Sequence, residues 1–380
     1  MRTVDVAVIG LGLMGAAALH ALAASGADVL GFDPISVGEP RGASHGSCRV
    51  FRRFNFENPA YTALSDRAHA GWRALEAESG TTLLTPCPVL EAGPRGSPLI
   101  GGSRAAGAGG ASGPATGAEA NAVFPAFRLP DDWDVVVQEG GILLAEAAMQ
   151  AFRAPLADRI LLGAARLEPT PAGIRVVTAG ADVLAGQVVI AAGPWIGALV
   201  PALAPLLTVT RQAVAWFRPA SPEAAHPGAF PIFLIDAPQG VIYGFPDFEG
   251  RGVKAAAHDH GPVVGPDDWG PAPSDAELAP ARAGLEAFVP GAAGPIVARD
   301  VCLYTNTARA DARPDAGEEF IIDRLPDDPR IAVVSACSGH GAKFAPAIGD
   351  IAAGLVLDAR FDADPAFRLD RFSSFARFSS

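Results

Sequence analysis

Charge is scarce in this chain, and what there is leans acidic: 18% of its 380 residues are charged and the formal net charge is -12. A surface of that sign repels phosphate, which argues against nucleic acid or an anionic membrane as a partner and leaves room only for a local basic pocket. No run of 18 apolar residues is present, so no membrane-spanning helix is expected. The N-terminus enters a strand at once, without the charged stretch and cleavage site of a secretory signal, and a cytoplasmic location is the expectation. Cysteine is sparse too. Cys48, Cys87, Cys302 and Cys337 form no CxxC pair, which removes a zinc ribbon and a redox dithiol and leaves four free thiols. What the chain does have is apolar bulk. At 49% hydrophobic it can bury a large core, most simply as two domains.

Residues 4–9 are an apolar strand that runs into Gly10-Leu11-Gly12-Leu13-Met14-Gly15, and residues 16–25 then read as a helix. This is GxGxxG in its proper setting: Gly10 makes the turn, Gly12 admits a pyrophosphate and Gly15 lets helix pack on strand. A second strand, residues 28–32, ends at Asp33, whose carboxylate suits an adenosine ribose. The pattern predicts a dinucleotide site without saying which dinucleotide. Residues 8–15 also look like the opening of the NAD(P)-linked 3-hydroxyacid dehydrogenases.

A second glycine turn lies near the C-terminus, where Ser338-Gly339-His340-Gly341-Ala342-Lys343-Phe344 separates a buried strand (331–336) from an amphipathic helix (345–357). Gly339 and Gly341 allow a planar ligand close to the backbone, and the helix N-terminus and Lys343 bring positive charge to it. Between the two turns, residues 41–53 read as a polar loop with four arginines and one histidine, in which Gly42, Ser44 and Gly46 suggest close approach to a ligand. Residues 61–79 show helical spacing through Leu64, Ala68, Trp72 and Leu75. Residues 101–120 are almost all Gly, Ala, Ser and Pro and are expected to be a flexible loop. A helix is expected at 145–157, short antiparallel strands at 173–178 and 182–184, and an apolar strand from 188 to a glycine turn at Gly193. Strands crowd residues 207–260, a sheet fit to wall a pocket with Tyr243, Lys254 and His258 as its polar groups. A helix is expected at 275–288, a surface loop at 308–318 and a peripheral tail from residue 361.

Taken together and in order, these motifs resemble one family. Gly10 to Gly15 with Asp33, Ser44-His45-Gly46 with Arg49 and Arg52, Ile242 to Pro246, Lys254 with His258, Cys302-Leu303-Tyr304-Thr305, Phe320 to Asp323 and Ser338 to Phe344 are spaced as in the monomeric sarcosine oxidase family, which includes N-methyltryptophan oxidase and is related to fructosyl amino acid and pipecolate oxidases. The resemblance implies an α/β fold with a Rossmann-like FAD-binding domain (1–85, 140–206 and 320–380) and a substrate domain built on a mixed, largely antiparallel sheet (86–139 and 207–319). It implies FAD, attached covalently through Cys302. It also implies a monomer that oxidises a secondary, N-methyl or cyclic amino acid with oxygen, giving imine or aldehyde, amine and hydrogen peroxide. By the same resemblance Arg52 and Lys343 hold the substrate carboxylate and Lys254 serves oxygen reduction. Arg49 and His45 lie beside the flavin, while Tyr243, His258 and Tyr304 line the substrate cavity. The alternatives are a fructosyl amino acid oxidase of the same family and the NAD(P)-dependent hydroxyacid dehydrogenase suggested by the first motif. Cys48 stands where the family has a threonine.

Overall fold

In the computed structural model, which describes all residues except 37–38, 40, 110–112, 259–260, 309–318, 373–374 and 376–380, the opening apolar segment is the strand Arg2–Ile9. Val6 and Val8 point to one core while Ala7 and Ile9 point to another, so the strand is covered on both faces. That is why it reads as an apolar run. It lies within an eight-stranded sheet whose main order is Ile321–Leu325, Asp328–Ser335, Asp182–Ile190, Arg2–Ile9, Val29–Asp33 and Ile160–Leu162, parallel along this path except for the hairpin of its first two strands. A second antiparallel hairpin, Arg166–Thr170 and Gly173–Val177, is paired to Asp182–Ile190. Helices Leu13–Ala24 and Ala345–Leu357 cover one face of this sheet, backbone close to backbone: a Cβ on Gly349 would stand 2.6 Å from the Ala17 carbonyl oxygen.

A second sheet runs Ile296–Thr307, Leu207–Phe217, Val253–Ala257, Gly240–Phe245, Ile232–Ala237, Val89–Gly93 and Asp134–Gln138. Only the pairing of Ile232–Ala237 with Val89–Gly93 is parallel. Side chains alternate across it. Ala215, Phe217, Phe233, Ile235 and Ala255 pack against the helix Asp275–Phe288 through its Leu278, Ala281 and Leu285. Their neighbours Val214, Trp216, Leu234, Tyr243 and Lys254 therefore face the other way, towards the first sheet's glycine turns. A small third sheet of Cys48–Arg52, Gly140–Leu144 and Leu84–Pro86 completes the strands. No described helix is long and apolar enough to cross a membrane.

Five expectations change. Residues 41–53 are not all loop: Cys48–Arg52 is a strand paired with Gly140–Leu144, a partner so distant in sequence that local polarity hides it. Residues 101–120 are not a featureless loop, since the helix Pro98–Ala105 enters this stretch and Gly117–Val123 closes it. The first starts with Pro at its opening position, and the second with a capping box in which the Thr116 side chain accepts from Glu119 N–H, satisfying amides that glycine and alanine cannot. The helix expected to reach residue 157 ends at Arg153, because Pro155 diverts the chain into the 3-10 turn Ala154–Arg159. The tail from residue 361 is not peripheral: Phe367, Leu369 and Phe372 are buried, and the Arg371 guanidinium donates to the carbonyls of Glu319 and Phe320. The strands expected at 182–184 and from 188 are one strand, Asp182–Ile190. The predicted loop at 308–318 falls, beyond its first residue, outside the described residues.

Candidate active site

The first glycine turn opens a cavity of about 310 Å³ that reaches the second one. Gly10, Gly12, Asp33, Ser44 and His45 line it together with Gly339 and Gly341. Gly15 stands behind the turn: a Cβ there would sit 1.8 Å from the Gly10 carbonyl oxygen, so it serves the contact of helix with strand. Gly10 adopts φ 85° and Gly339 φ 73°, conformations that disfavour a side chain, and a Cβ on Gly341 would sit 1.9 Å from the Ala336 carbonyl oxygen. Removing side chains at these points leaves a cradle that suits a long, flat cofactor. Asp33 is buried, and its carboxylate accepts the backbone N–H of Leu11 at 2.6 Å and of Ile35 at 2.8 Å. Burial pushes its carboxyl up and these two donors pull it down, so besides facing the cavity it braces the turn. Ser44 has a structural task as well: its Oγ accepts from Leu13 N–H at 3.0 Å, capping the first helix from a loop far along the chain.

Beyond this cavity lies a smaller one of about 90 Å³, and Arg49, Cys302, Tyr304 and Gly339 line both. These four residues form the junction. Arg49 is fixed there by the carbonyls of Ala43, His45 and Cys48, with one amine 3.8 Å from the Cys302 sulfur. His45, buried, has Nδ1 2.9 Å from the Gly42 carbonyl and Nε2 3.6 Å from Asp300.

The small cavity gathers four cations, Arg49, Arg52, Lys254 and Lys343. The sequence has two lysines, Lys254 and Lys343, and both line it. Solvated basic positions elsewhere are arginine, so an ammonium is placed only where it is buried and its proton affinity can be tuned. Lys254 projects from the second sheet, donates to the Cys48 carbonyl at 3.1 Å and lies over Trp216 and Phe245; burial pulls its ammonium down. Lys343 follows the second glycine turn, donates to the His340 carbonyl at 2.7 Å and is pulled down to about 7, mainly by burial and next by Arg52. Tyr243 is pushed up to about 12 by burial and Tyr304 well above its usual value for the same reason, so both phenols are neutral donors. The His258 ring lies 5.7 Å from Tyr304 and 6.4 Å from Tyr243.

Every side chain expected at the site is brought to one of the two cavities, apart from Gly15 behind the turn. Arg52 comes with companions the sequence did not announce. Its guanidinium is buried over the Phe56 ring, pairs through Nη2 with Glu57 at 2.5 Å and faces Glu91 through Nη1 at 3.5 Å. His340, pulled down to about 3 chiefly by burial, stands 3.9 Å from Glu57. A signal existed for Glu91: a carboxylate inside the apolar strand Val89–Gly93 needs a buried partner. Among the described residues no group of three or more His, Cys, Asp or Glu side chains is placed to hold a metal ion.

The sequence matches the FAD dependent oxidoreductase family over residues 5–355. It is 34% identical over 378 residues to the monomeric sarcosine oxidase of Streptomyces avermitilis, covering 93% of this chain and 94% of that protein. It is 31% identical over 389 residues to the N-methyl-L-tryptophan oxidase of Yersinia pestis, with 97% and 99% covered. Among solved structures, NikD, an unusual amino acid oxidase essential for nikkomycin biosynthesis, superposes with a TM-score of 0.79 at 22% identity over 96% of both chains, a likeness of fold. The chain therefore belongs to the FAD dependent oxidoreductase family, among the relatives of monomeric sarcosine oxidase and N-methyl-L-tryptophan oxidase.

Proposed function

We propose that the protein oxidises a small N-methyl or cyclic amino acid with oxygen, releasing an imine, which water converts to aldehyde and amine, and hydrogen peroxide. The observation that carries this reading is the pair of cations, Arg52 and Lys343, in a cavity of about 90 Å³ that joins the flavin cradle through Arg49, Cys302, Tyr304 and Gly339. FAD, when bound, supplies the two-electron acceptor for the C–N oxidation and the route of those electrons to oxygen. Gly10, Gly12, Asp33 and Ser44 would hold its adenosine and pyrophosphate, and His45, Arg49, Gly339 and Gly341 its ring.

Arg52 and Lys343 take the substrate carboxylate, for which a guanidinium fork and an ammonium are suited. With that end fixed, the amine lies towards Tyr243, His258 and Tyr304, and the reacting carbon towards the junction. Val50, Phe56, Ile232, Leu234, Val241 and Phe245 form an apolar wall that sheds water from the site. Lys254 supplies a buried, preorganised positive charge where oxygen is reduced. Size narrows the substrate. An apolar cavity holding one benzene measures about 150 Å³, so the space here favours sarcosine- or proline-sized molecules over an indole or a sugar. Family membership and the strand-rich second sheet set aside the NAD(P)-linked dehydrogenase.

Cys302 completes the reading as the covalent attachment point of the flavin: its half-buried sulfur lies at the junction with the Arg49 charge against it. The test of the function is a peroxide assay of FAD-loaded protein across sarcosine, N-methylalanine, proline, pipecolate, N-methyltryptophan and a fructosyl amino acid. Turnover of the small members is expected, and peroxide from none of them would overturn the proposal.

A further inference from the structure

Glu91 is a fully buried carboxylate on the strand Val89–Gly93. Its neighbours Leu90 and Ala92 point into the helix-covered core, which turns Glu91 the other way, in register with Leu234 and Tyr243 on the cavity side of the sheet. Yet it does not line the cavity, whereas Glu57 does. Its polar neighbours are Arg52, Ser103 and Gln138, with Glu57 beyond Arg52. Gln138 Nε2 donates to Oε1 at 3.1 Å, and Arg52 Nη1 reaches the same oxygen at 3.5 Å. Arg52 Nη2, on the other edge, holds Glu57 at 2.5 Å. One guanidinium thus lies between two carboxylates, one in the cavity and one behind it.

The consequence is a competition. A buried guanidinium paired with one carboxylate alone forms a tight closed pair, and a substrate carboxylate must break that pair to bind. Burial pushes the Glu91 carboxyl up and Arg52 pulls it back down; in its ionised form behind the guanidinium it divides that charge and anchors one edge. The other edge then exchanges partners without leaving the cation uncompensated. We propose that Glu91 is a positioning residue that holds the rear edge of Arg52 and keeps its cavity edge exchangeable between Glu57 and the carboxylate of an amino-acid ligand. This rests on the proposed role of Arg52 in carboxylate binding.

The test is binding of acetate and of its uncharged counterpart acetamide to the oxidised holoenzyme, followed by perturbation of the flavin absorption. Wild type is expected to prefer acetate. Glu91→Val should reduce that preference by about tenfold, while acetamide binding stays within about twofold. Glu91→Gln, which keeps an acceptor but not the charge, should lose about threefold, and it carries the test if the valine variant does not fold. Glu57→Gln, which removes the competitor, should change the preference in the opposite direction. An unchanged or increased acetate preference in the Glu91 variants, or equal weakening of both ligands, overturns the proposal. A wild type that does not distinguish acetate from acetamide instead overturns the role of Arg52 on which it rests.

Discussion

Lys343 shows what burial does to a single charge. Desolvation and Arg52 bring its ammonium down to about 7, while Glu57 and Glu91 pull the other way. Of its other neighbours, His340 is neutral near that pH and Glu57 stays ionised, its carboxyl held far below the usual range chiefly by Arg52 against the cost of burial. The sign follows directly. Below about pH 7 Lys343 is charged and, in the proposed role, would join Arg52 in holding a carboxylate; above it the ammonium is lost and Arg52 would act alone. The dissociation constant of acetate is therefore expected to rise about tenfold between about pH 6 and pH 8.5, and Lys343→Met should bind weakly with a flatter profile. A profile in Lys343→Met as steep as wild type would assign the titration elsewhere. Cys302 carries the other residue-level prediction: acid-precipitated wild type stays yellow and Cys302→Ser releases its colour to the supernatant. Colour lost entirely from the wild type would remove the linkage and leave tightly bound FAD. That Lys254, Lys343 and Cys302 come together at the cavities is legible in the sequence because each sits inside a motif. Glu57 and Glu91 were not, because their meaning depends on Arg52, which only the fold brings to them.

Among the elements, those with an unbroken local signal were readable and those whose logic is distant were not. Helices Tyr61–Ser79, Asp275–Phe288 and Ala345–Leu357 match their spacing end to end, since an amphipathic stripe is a local property. The sequence alone reads as loop at Cys48–Arg52, because only pairing with Gly140–Leu144 makes it a strand. Gly117–Val123 was lost in the surrounding Gly and Ala, although Thr116 and Glu119 spelled its capping box. That cap gives a stability test at this scale. Thr116→Ala should lower unfolding free energy by about 1 kcal/mol and leave flavin content unchanged, and a denaturation midpoint equal to wild type would show that the cap contributes nothing.

At the scale of the molecule, function depends on two sheets meeting face to edge of a shared space. The parallel strands of the first sheet end in the two glycine turns that frame the larger cavity; the second sheet turns its helix-free face towards them, lending Tyr243 and Lys254 to the small cavity and Cys302 and Tyr304 to the junction. The order of motifs anticipated this meeting, but the size of the small cavity could only come from packing, because the apolar residues that set it carry no motif. The most direct test is a half-reaction. FAD-loaded protein mixed with sarcosine or proline without oxygen should lose its visible flavin absorption, then recover it on admission of air with one hydrogen peroxide formed per flavin, and N-methyltryptophan should reduce it far more slowly. Flavin absorption that stays unchanged with every N-methyl and cyclic amino acid would contradict the account.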